Sequence, residues 1–251
     1  MFPYRDDNPT LGQPVVTLLI IAANVAVWIL VQGMGQDPAL ARSVCELGLI
    51  PGEFLGRVAP GTQLPLSPGE VCVLGIERHW YTPLTSMFLH GGWLHILGNM
   101  LFLWVFGNNV EDRLGPVPFL LLYLVGGVVA TLGHVVLNGH SVEPLVGASG
   151  AIAVLMGAYF VFKPRGQILT IVVTAAFQVV YIPAYVVLGL FFVTQFFTPS
   201  STHVAWEAHA VGMAFGALAA LVLARFFRDP SAAPSAPAPA GVASTAALDH
   251  R

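Results

Sequence analysis

Long apolar runs, separated by short polar segments, constrain the fold of this chain more than any other feature of its sequence. The chain has 251 residues, of which 56% are hydrophobic and 9% are charged, whereas about 25% of the residues in soluble domains are charged. A helix of roughly 20 apolar residues crosses the hydrocarbon core of a bilayer with its backbone hydrogen bonds satisfied. We therefore expect an all-α polytopic membrane protein. The net charge of -3 and the lack of a basic cluster argue against a nucleic-acid partner.

The apolar runs predict six membrane-spanning helices. They cover, approximately, residues 15–31, 93–110, 117–137, 145–162, 184–197 and 204–227. Between the first two runs, a segment from about 33 to 92 contains repeated prolines and glycines and is predicted to be a long extracytoplasmic loop. The apolar stretch from 168 to 197 is too long for one simple span, so we expect residues 168–181, rich in Val, Ile and Thr, to be interfacial or extended.

Three regions follow from this division. Residues 1–14 form a cytoplasmic N-terminal segment, residues 15–228 the six-span domain, and residues 229–251 a Pro- and Ala-rich tail whose composition predicts disorder. Most basic residues fall on one side of a six-span arrangement: Arg5, Arg113, Lys163, Arg165, Arg225, Arg228 and Arg251. The positive-inside rule then places both termini in the cytoplasm, and we expect a bacterial inner-membrane location. A cleaved signal peptide is the alternative for the first run, but two aspartates beside Arg5 favour an uncleaved anchor.

Three polar clusters reach the same depth if six spans alternate in direction. His95 and Asn99 lie in the first half of the second span, Ser149 near the start of the fourth, and His209 near the start of the sixth. All three spans enter the membrane from the external side. A serine in a membrane helix is usually a packing residue bonded to the backbone. Because Ser149 and His209 are predicted to lie at the same depth in the membrane, we favour the interpretation that they are a nucleophile and its base.

Small residues form matching stripes on the fourth and sixth spans. Gly150 and Gly157 are seven residues apart, and His209 is followed by Gly212 and Gly216 at helical spacing. Stripes of glycine allow the backbones of two membrane helices to approach closely. They predict that the fourth and sixth spans pack together, which would turn the serine towards the histidine.

Four segments carry a resemblance to a known family. They are residues 90–100 (HGGWLHILGNM), 111–115 (EDRLG), 147–150 (GASG) and 208–216 (AHAVGMAFG). In order and spacing they resemble the motifs of the rhomboid intramembrane serine proteases, and the resemblance extends over about residues 14–227. Each motif alone is a weak signal, whereas four in the same order are very specific.

The resemblance implies roles for individual residues. Ser149 matches the nucleophile and His209 the general base, in a dyad without an acidic third member. His95 and Asn99 match the side chains that stabilise the oxyanion, together with the backbone amides of Ser149 and Ala148. Structural support is expected from a second set of residues: His90, Gly147, Gly150, Gly212 and Gly216. No cofactor and no metal is implied.

Two features of the sequence depart from the family pattern. Many members have Trp-Arg in the first loop, where this chain has Tyr81 and Thr82, with Trp80 one place earlier. Members that have a tyrosine four residues after the nucleophile stack it on the base, whereas this chain has Ala153. Another side chain is therefore expected to steady the imidazole. Glu207 is a poor candidate, because a helix turns it about 200° away from the histidine two residues later.

The resemblance implies hydrolysis of peptide bonds in single-span membrane proteins near the extracytoplasmic surface, with membrane lipid as the solvent. The aromatic-rich fifth span would act as the gate for substrate. A rhomboid-like pseudoprotease that binds and escorts membrane proteins is the alternative, and a transporter is a third possibility without support from internal repeats. The oligomeric state stays open.

Other intramembrane protease classes lack their residues in this sequence. It contains no HExxH motif for a zinc site, and no aspartate lies deep in a predicted span, which excludes a catalytic aspartyl pair.

Cys45 and Cys72 both fall in the predicted external loop. In an oxidising compartment they would form a disulfide, and the alternative is two free thiols.

Overall fold

The fold is described by a computed structural model that covers residues 2–8, 10, 12–76, 79–173, 177–195, 197 and 205–227. The predicted tail, residues 229–251, lies outside the described residues, and so do Arg78, Arg228 and Arg251.

Helices make up most of the described chain. In order they are α1 Val15–Leu30, α2 Ala39–Leu47, α3 Pro51–Phe54, α4 Thr82–Thr85, α5 Trp93–Leu114, α6 Pro116–Leu137, α7 Ser149–Phe162, α8 Ala184–Gln195 and α9 Trp206–Leu223. Among the described residues, each of the six helices with more than ten residues overlaps a different one of the six predicted apolar runs, and α5 continues past its run to Leu114. The prediction of a predominantly helical protein built from these runs is therefore confirmed.

Two helices of the described residues, α6 and α9, are by themselves long and apolar enough to cross a membrane. A third candidate is the segment formed by Thr82–Phe88 and α5, which is bent by 94° at its break. The apolar helices α1, α7 and α8 have 16, 14 and 12 residues, fewer than the roughly 20 of a full span. The count of six spans stays a prediction.

The prediction of an all-α fold was wrong, because the chain also forms two small antiparallel sheets. The strands are β1 Phe2–Asp6, β2 Thr62–Ser67, β3 Glu70–Leu74, β4 Gln167–Val173 and β5 Phe177–Pro183. β2 and β3 form a hairpin, and β1, β4 and β5 form a sheet in that order. β4 and β5 occupy the segment that was expected to be interfacial or extended, where β-branched residues favour strands.

The N-terminal strand is attached to the helices through a buried carboxyl group. Asp6 accepts a hydrogen bond from the Tyr159 hydroxyl of α7 at 2.9 Å and others from Asn8 and the Asn109 amide of α5. Burial raises the pKa of Asp6, and the hydrogen bonds to Asn8 and Tyr159 oppose this shift. Because Asn109 and Tyr159 lie on different helices, Asp6 joins the β1 strand to both.

Helix α1 begins against a carboxylate in the last turn of α5. The carboxylate of Glu111 accepts hydrogen bonds from the backbone amides of Val16 and Thr17, both at 2.8 Å, and from the Thr17 hydroxyl at 2.7 Å. The first amides of a helix have no acceptor within the helix, so this carboxylate satisfies them and fixes α1 against α5.

A disulfide and a backbone bridge fix the position of the segment between α1 and α5. Cys45 of α2 and Cys72 of β3 form a disulfide, with their Cα atoms 5.6 Å apart. Leu49 and Leu145 form a backbone bridge, with N···O distances of 3.1 and 2.7 Å. The bridge brings this segment to the chain just before α7.

Candidate active site

Ser149 is the first residue of α7, at the end of a constrained turn. The amide of Gly147 donates to the carbonyl of Ser86 at 2.9 Å. Gly147 has φ +131°, and a Cβ atom there would lie 2.8 Å from the His95 ring. Position 147 therefore requires glycine both for its conformation and for the space that His95 occupies.

Helices α7 and α9 pack with their backbones almost in contact. A Cβ atom on Gly157 would overlap the carbonyl of Met213, and one on Gly216 would overlap the carbonyl of Val154. Gly150 is buried, and its carbonyl faces Gly212. Side chains at these positions would hold the helices apart, so the glycines permit the short distance between α7 and α9.

This packing brings the predicted nucleophile and base together. The Oγ atom of Ser149 and the Nε2 atom of His209 are 2.7 Å apart, which is a hydrogen-bond distance. His209 lies one turn into α9 and is 9% exposed. A serine hydroxyl bonded to an imidazole is the contact through which a base can remove the proton from a nucleophile.

His95 and Asn99 lie one turn apart on α5 and border the same cavity as Ser149. The backbone amide of Gly91 donates to Nδ1 of His95 at 3.2 Å. A neutral imidazole that accepts at Nδ1 carries its hydrogen on Nε2, which therefore becomes a donor. Asn99 is buried, and its Nδ2 atom has no hydrogen-bond partner among the described residues. Both side chains thus carry N–H groups in the lining of the cavity that Ser149 also lines.

The histidine that was predicted to support this region is fully buried behind His95. The rings of His90 and His95 meet edge to face, with their centroids 5.2 Å apart. Gln32, two residues after the end of α1, accepts from the amide of His90 at 2.8 Å and donates to its carbonyl at 2.9 Å. The sequence patterns missed Gln32, although an amide at the end of an apolar run is a recognisable signal.

The serine and the histidine open on a cavity of about 900 Å³. Polar and apolar residues line this cavity together, including Trp93, His95, Asn99, Phe102, Met156 and Phe191. A mostly apolar cavity with a few convergent polar groups is the usual form of a ligand-binding or active site.

Two contacts to His209 come from α8 and were not predicted from the sequence. The Nδ1 atom of His209 lies 2.7 Å from the Oε1 atom of Gln195. The Phe191 ring lies beside the imidazole, with the centroids 6.1 Å apart. Gln195 is an amide inside an apolar run, a signal that could have marked it.

The structure also gives the contacts of three other residues considered in the sequence: Ala153, Glu207 and Tyr81. Ala153 is fully buried, and a Cβ atom on Gly212 would lie 3.3 Å from its methyl group. Glu207 does not reach the site but contacts Nδ1 of His134 at 3.4 Å. Tyr81 packs against the ring of Trp80 with centroids 6.0 Å apart.

No group of three or more His, Cys, Asp or Glu side chains in the described part of the chain is arranged to hold a metal ion.

Comparison with known proteins places these residues in a family context. A family model described as Rhomboid domain matches residues 77–226, which is more than half of the chain. The putative rhomboid protease YdcA of Bacillus subtilis is 37% identical over 91 residues, which is 34% of this chain and 43% of that protein. Rhomboid protease GluP of the same organism is 38% identical over 82 residues, 33% of this chain and 16% of that protein. RHOMBOID-like protein 6 of Arabidopsis thaliana, mitochondrial, is 36% identical over 156 residues, 57% of this chain and 50% of that protein.

The fold and the site together define a class of protein: a helical membrane protein in which a serine and a histidine line one cavity. Within it, this chain belongs to the rhomboid family, a family of integral membrane proteins, which confirms the resemblance. The alignments cover less than half of YdcA and less than a fifth of GluP.

Proposed function

We propose that this protein is an intramembrane serine endopeptidase that cleaves single-span membrane proteins by means of Ser149 and His209. The observation that carries the proposal is the distance of 2.7 Å between Ser149 Oγ and His209 Nε2 at the wall of a large, mostly apolar cavity. The names of the relatives YdcA and GluP, both of which include the word protease, support the same reaction class.

The reaction begins when Ser149 Oγ attacks the carbonyl carbon of the substrate. His209 Nε2 takes the hydroxyl proton as the new C–O bond forms, and a tetrahedral intermediate results. The histidine then returns the proton to the leaving amine as the C–N bond breaks. A water molecule repeats the sequence on the acyl-enzyme and releases the second product with the serine restored.

Donors for the intermediate's negative charge are proposed on two elements. His95 Nε2 and Asn99 Nδ2 would donate from α5, and the amides of Ala148 and Ser149 from the start of α7, where the first amides lack helical acceptors. The Nδ2 atom of Asn99, which has no hydrogen-bond partner in the described part of the chain, supports this role. Loss of one such donor typically lowers the rate by about 10²- to 10³-fold.

The proposed setting is a bacterial inner membrane crossed by six spans, with both termini in the cytoplasm. The N-terminal ends of α5, α7 and α9 would then face the extracytoplasmic side, where water can reach the serine. A substrate helix must unwind before its peptide bond can enter the cavity, so helix-breaking residues near that surface favour cleavage. Helix α8, which contributes Phe191 to the cavity wall, is the proposed gate.

The direct test is cleavage of a single-span reporter protein in liposomes that contain the purified protein. Ser149→Ala and His209→Ala are each expected to lower the cleavage rate by at least about 10³-fold, since either change removes the catalytic pair. His140→Ala is the matched control, because His140 is an exposed histidine outside the cavity. Undiminished cleavage by either active-site variant would remove the proposal.

The same assay distinguishes the escort alternative. A pseudoprotease would bind the reporter without cleaving it, and neither active-site variant would change the products. A wild-type protein that retains the reporter intact through several hours of incubation would favour that alternative.

A further inference from the structure

We propose that Gln195 is the positioning residue for the base, so that helix α8 holds His209 in the form that can accept a proton from Ser149. This inference deepens the proposed function and rests on it. It assigns the contact that the sequence left open, since the family resemblance implies no acidic third member and position 153 is an alanine.

The orientation of the Gln195 amide is fixed by its second contact. Its Nε2 atom donates to the carbonyl of Phe191 at 3.1 Å, one turn earlier on α8. The other amide atom, Oε1, therefore faces Nδ1 of His209 at 2.7 Å. An amide oxygen only accepts hydrogen bonds, so Nδ1 of His209 must carry the hydrogen.

This hydrogen decides which nitrogen can act as the base. A neutral imidazole with its hydrogen on Nδ1 has its lone pair on Nε2, and Nε2 faces Ser149 Oγ at 2.7 Å. The serine therefore donates and the histidine accepts, as proton removal requires. A buried aspartate performs the same orientation in the Ser-His-Asp triad. Here a neutral, buried amide supplies it.

Helix α7 offers no such support at position 153, where the side chain is only a methyl group. Ala153 is fully buried, and a Cβ atom on Gly212 would lie 3.3 Å from its methyl group. The ring beside the imidazole comes instead from Phe191 of α8.

The hydrogen bond to Nδ1 of His209 and the ring contact to its imidazole thus both come from helix α8. A displacement of α8 away from α9 would remove the two together and free the imidazole to rotate or to change tautomer. The position of α8 is thereby linked to the basicity of Nε2, and productive catalysis requires α8 to be in place against α9.

Three variants separate this role from simple packing. Gln195→Met keeps the side-chain length but removes the acceptor, and we expect kcat to fall about 10- to 100-fold with KM within about twofold. Loss of the triad aspartate's function costs about 10⁴-fold, and a neutral partner contributes less. Gln195→Glu retains an acceptor oxygen and is expected to recover most of the lost kcat.

Thr194→Val is the matched control at the same end of α8. The Thr194 hydroxyl donates to the same Phe191 carbonyl at 2.8 Å, and this residue is exposed and does not line the cavity. We expect its kcat to match that of the wild type. Equal kcat values for Gln195→Met and the wild type, or a Gln195→Glu variant as slow as Gln195→Met, would overturn the inference while leaving the Ser149–His209 proposal intact.

A measurement on the wild-type protein tests the inference even if a variant fails to fold. ¹⁵N-histidine NMR near neutral pH distinguishes the two ring nitrogens of His209, with His209→Ala used to assign the signals. The expected result is a neutral imidazole whose hydrogen is on Nδ1. A hydrogen on Nε2 would overturn the inference, because that tautomer can neither donate to Gln195 nor accept from Ser149.

Discussion

Gly216 of α9 lies against the carbonyl oxygen of Val154 in α7 so closely that a Cβ atom at position 216 would overlap it. The same two helices carry Ser149 and His209 near their N-terminal ends. The separation of the two backbones therefore sets the distance between the hydroxyl and the imidazole. Packing and chemistry depend on the same glycine contacts.

Substitution of Gly216 by alanine should accordingly affect both stability and cleavage. The added methyl group must displace the Val154 backbone or separate the helices, and overpacking of this kind typically costs about 1–3 kcal/mol. We expect Gly216→Ala to lower the thermal midpoint in detergent and to lose more activity than its folded fraction accounts for. Gly189→Ala on α8 is the control, since a Cβ atom there meets nothing within 4 Å. Equal midpoints and activities for the two variants would be inconsistent with tight α7–α9 packing.

The disulfide between Cys45 and Cys72 should stabilise the segment between α1 and α5. The cysteines are 27 residues apart, and closing a loop of this length stabilises a protein by about 3–4 kcal/mol in the chain-entropy model. We expect a reductant to lower the thermal midpoint of the wild type but not that of the Cys45→Ser/Cys72→Ser double variant. Intact-mass analysis without reductant should show the loss of two hydrogens, and a protein with two free thiols would refute this prediction.

The N-terminal strand should make stability depend on pH through Asp6. Burial raises the pKa of Asp6 in the folded protein above its usual value of 3.8, so the folded state binds this proton more tightly than the unfolded chain. The stabilisation is fully present below the unfolded pKa and is lost as pH rises through the folded pKa.

Asp6→Asn removes this titration while retaining a polar side chain of the same shape. Its free energy of unfolding should fall less steeply than that of the wild type as pH rises from about 4 to 7. Denaturant unfolding over this range provides the measurement, and Asp7→Asn is the control because Asp7 is exposed. Parallel curves for the wild type and Asp6→Asn would rule out the predicted linkage.

The helical part of the fold follows from local patterns in the sequence. Each of the six apolar runs contains a helix, since hydropathy and run length report directly on such segments. The sheets were harder to predict. Strand β1 pairs with β4 across more than 160 residues, for example Phe2 with Ile171, and no local pattern encodes so distant a pairing. The β4–β5 hairpin was expected only as an extended segment.

In the site, too, the residues that belong to local motifs could be predicted, whereas a partner that comes from another helix could not. Motifs and glycine spacing identified Ser149 and His209, which the structure places in contact. The partners of the imidazole were not identified, because Gln195 belongs to a different helix from either and carries no motif. Its position depends on how α8 packs against α9, which is a property of the tertiary structure. A polar residue in an apolar run was the available signal.

The most direct test of the central claim is to treat the purified protein with a fluorophosphonate probe and to locate the modified residue by peptide mass spectrometry. The probe reacts with serines activated by a neighbouring base. We predict modification of Ser149 in the wild type and little or none in His209→Ala. Modification of a different serine, or equal modification of Ser149 with and without His209, would contradict the catalytic pairing of these two residues.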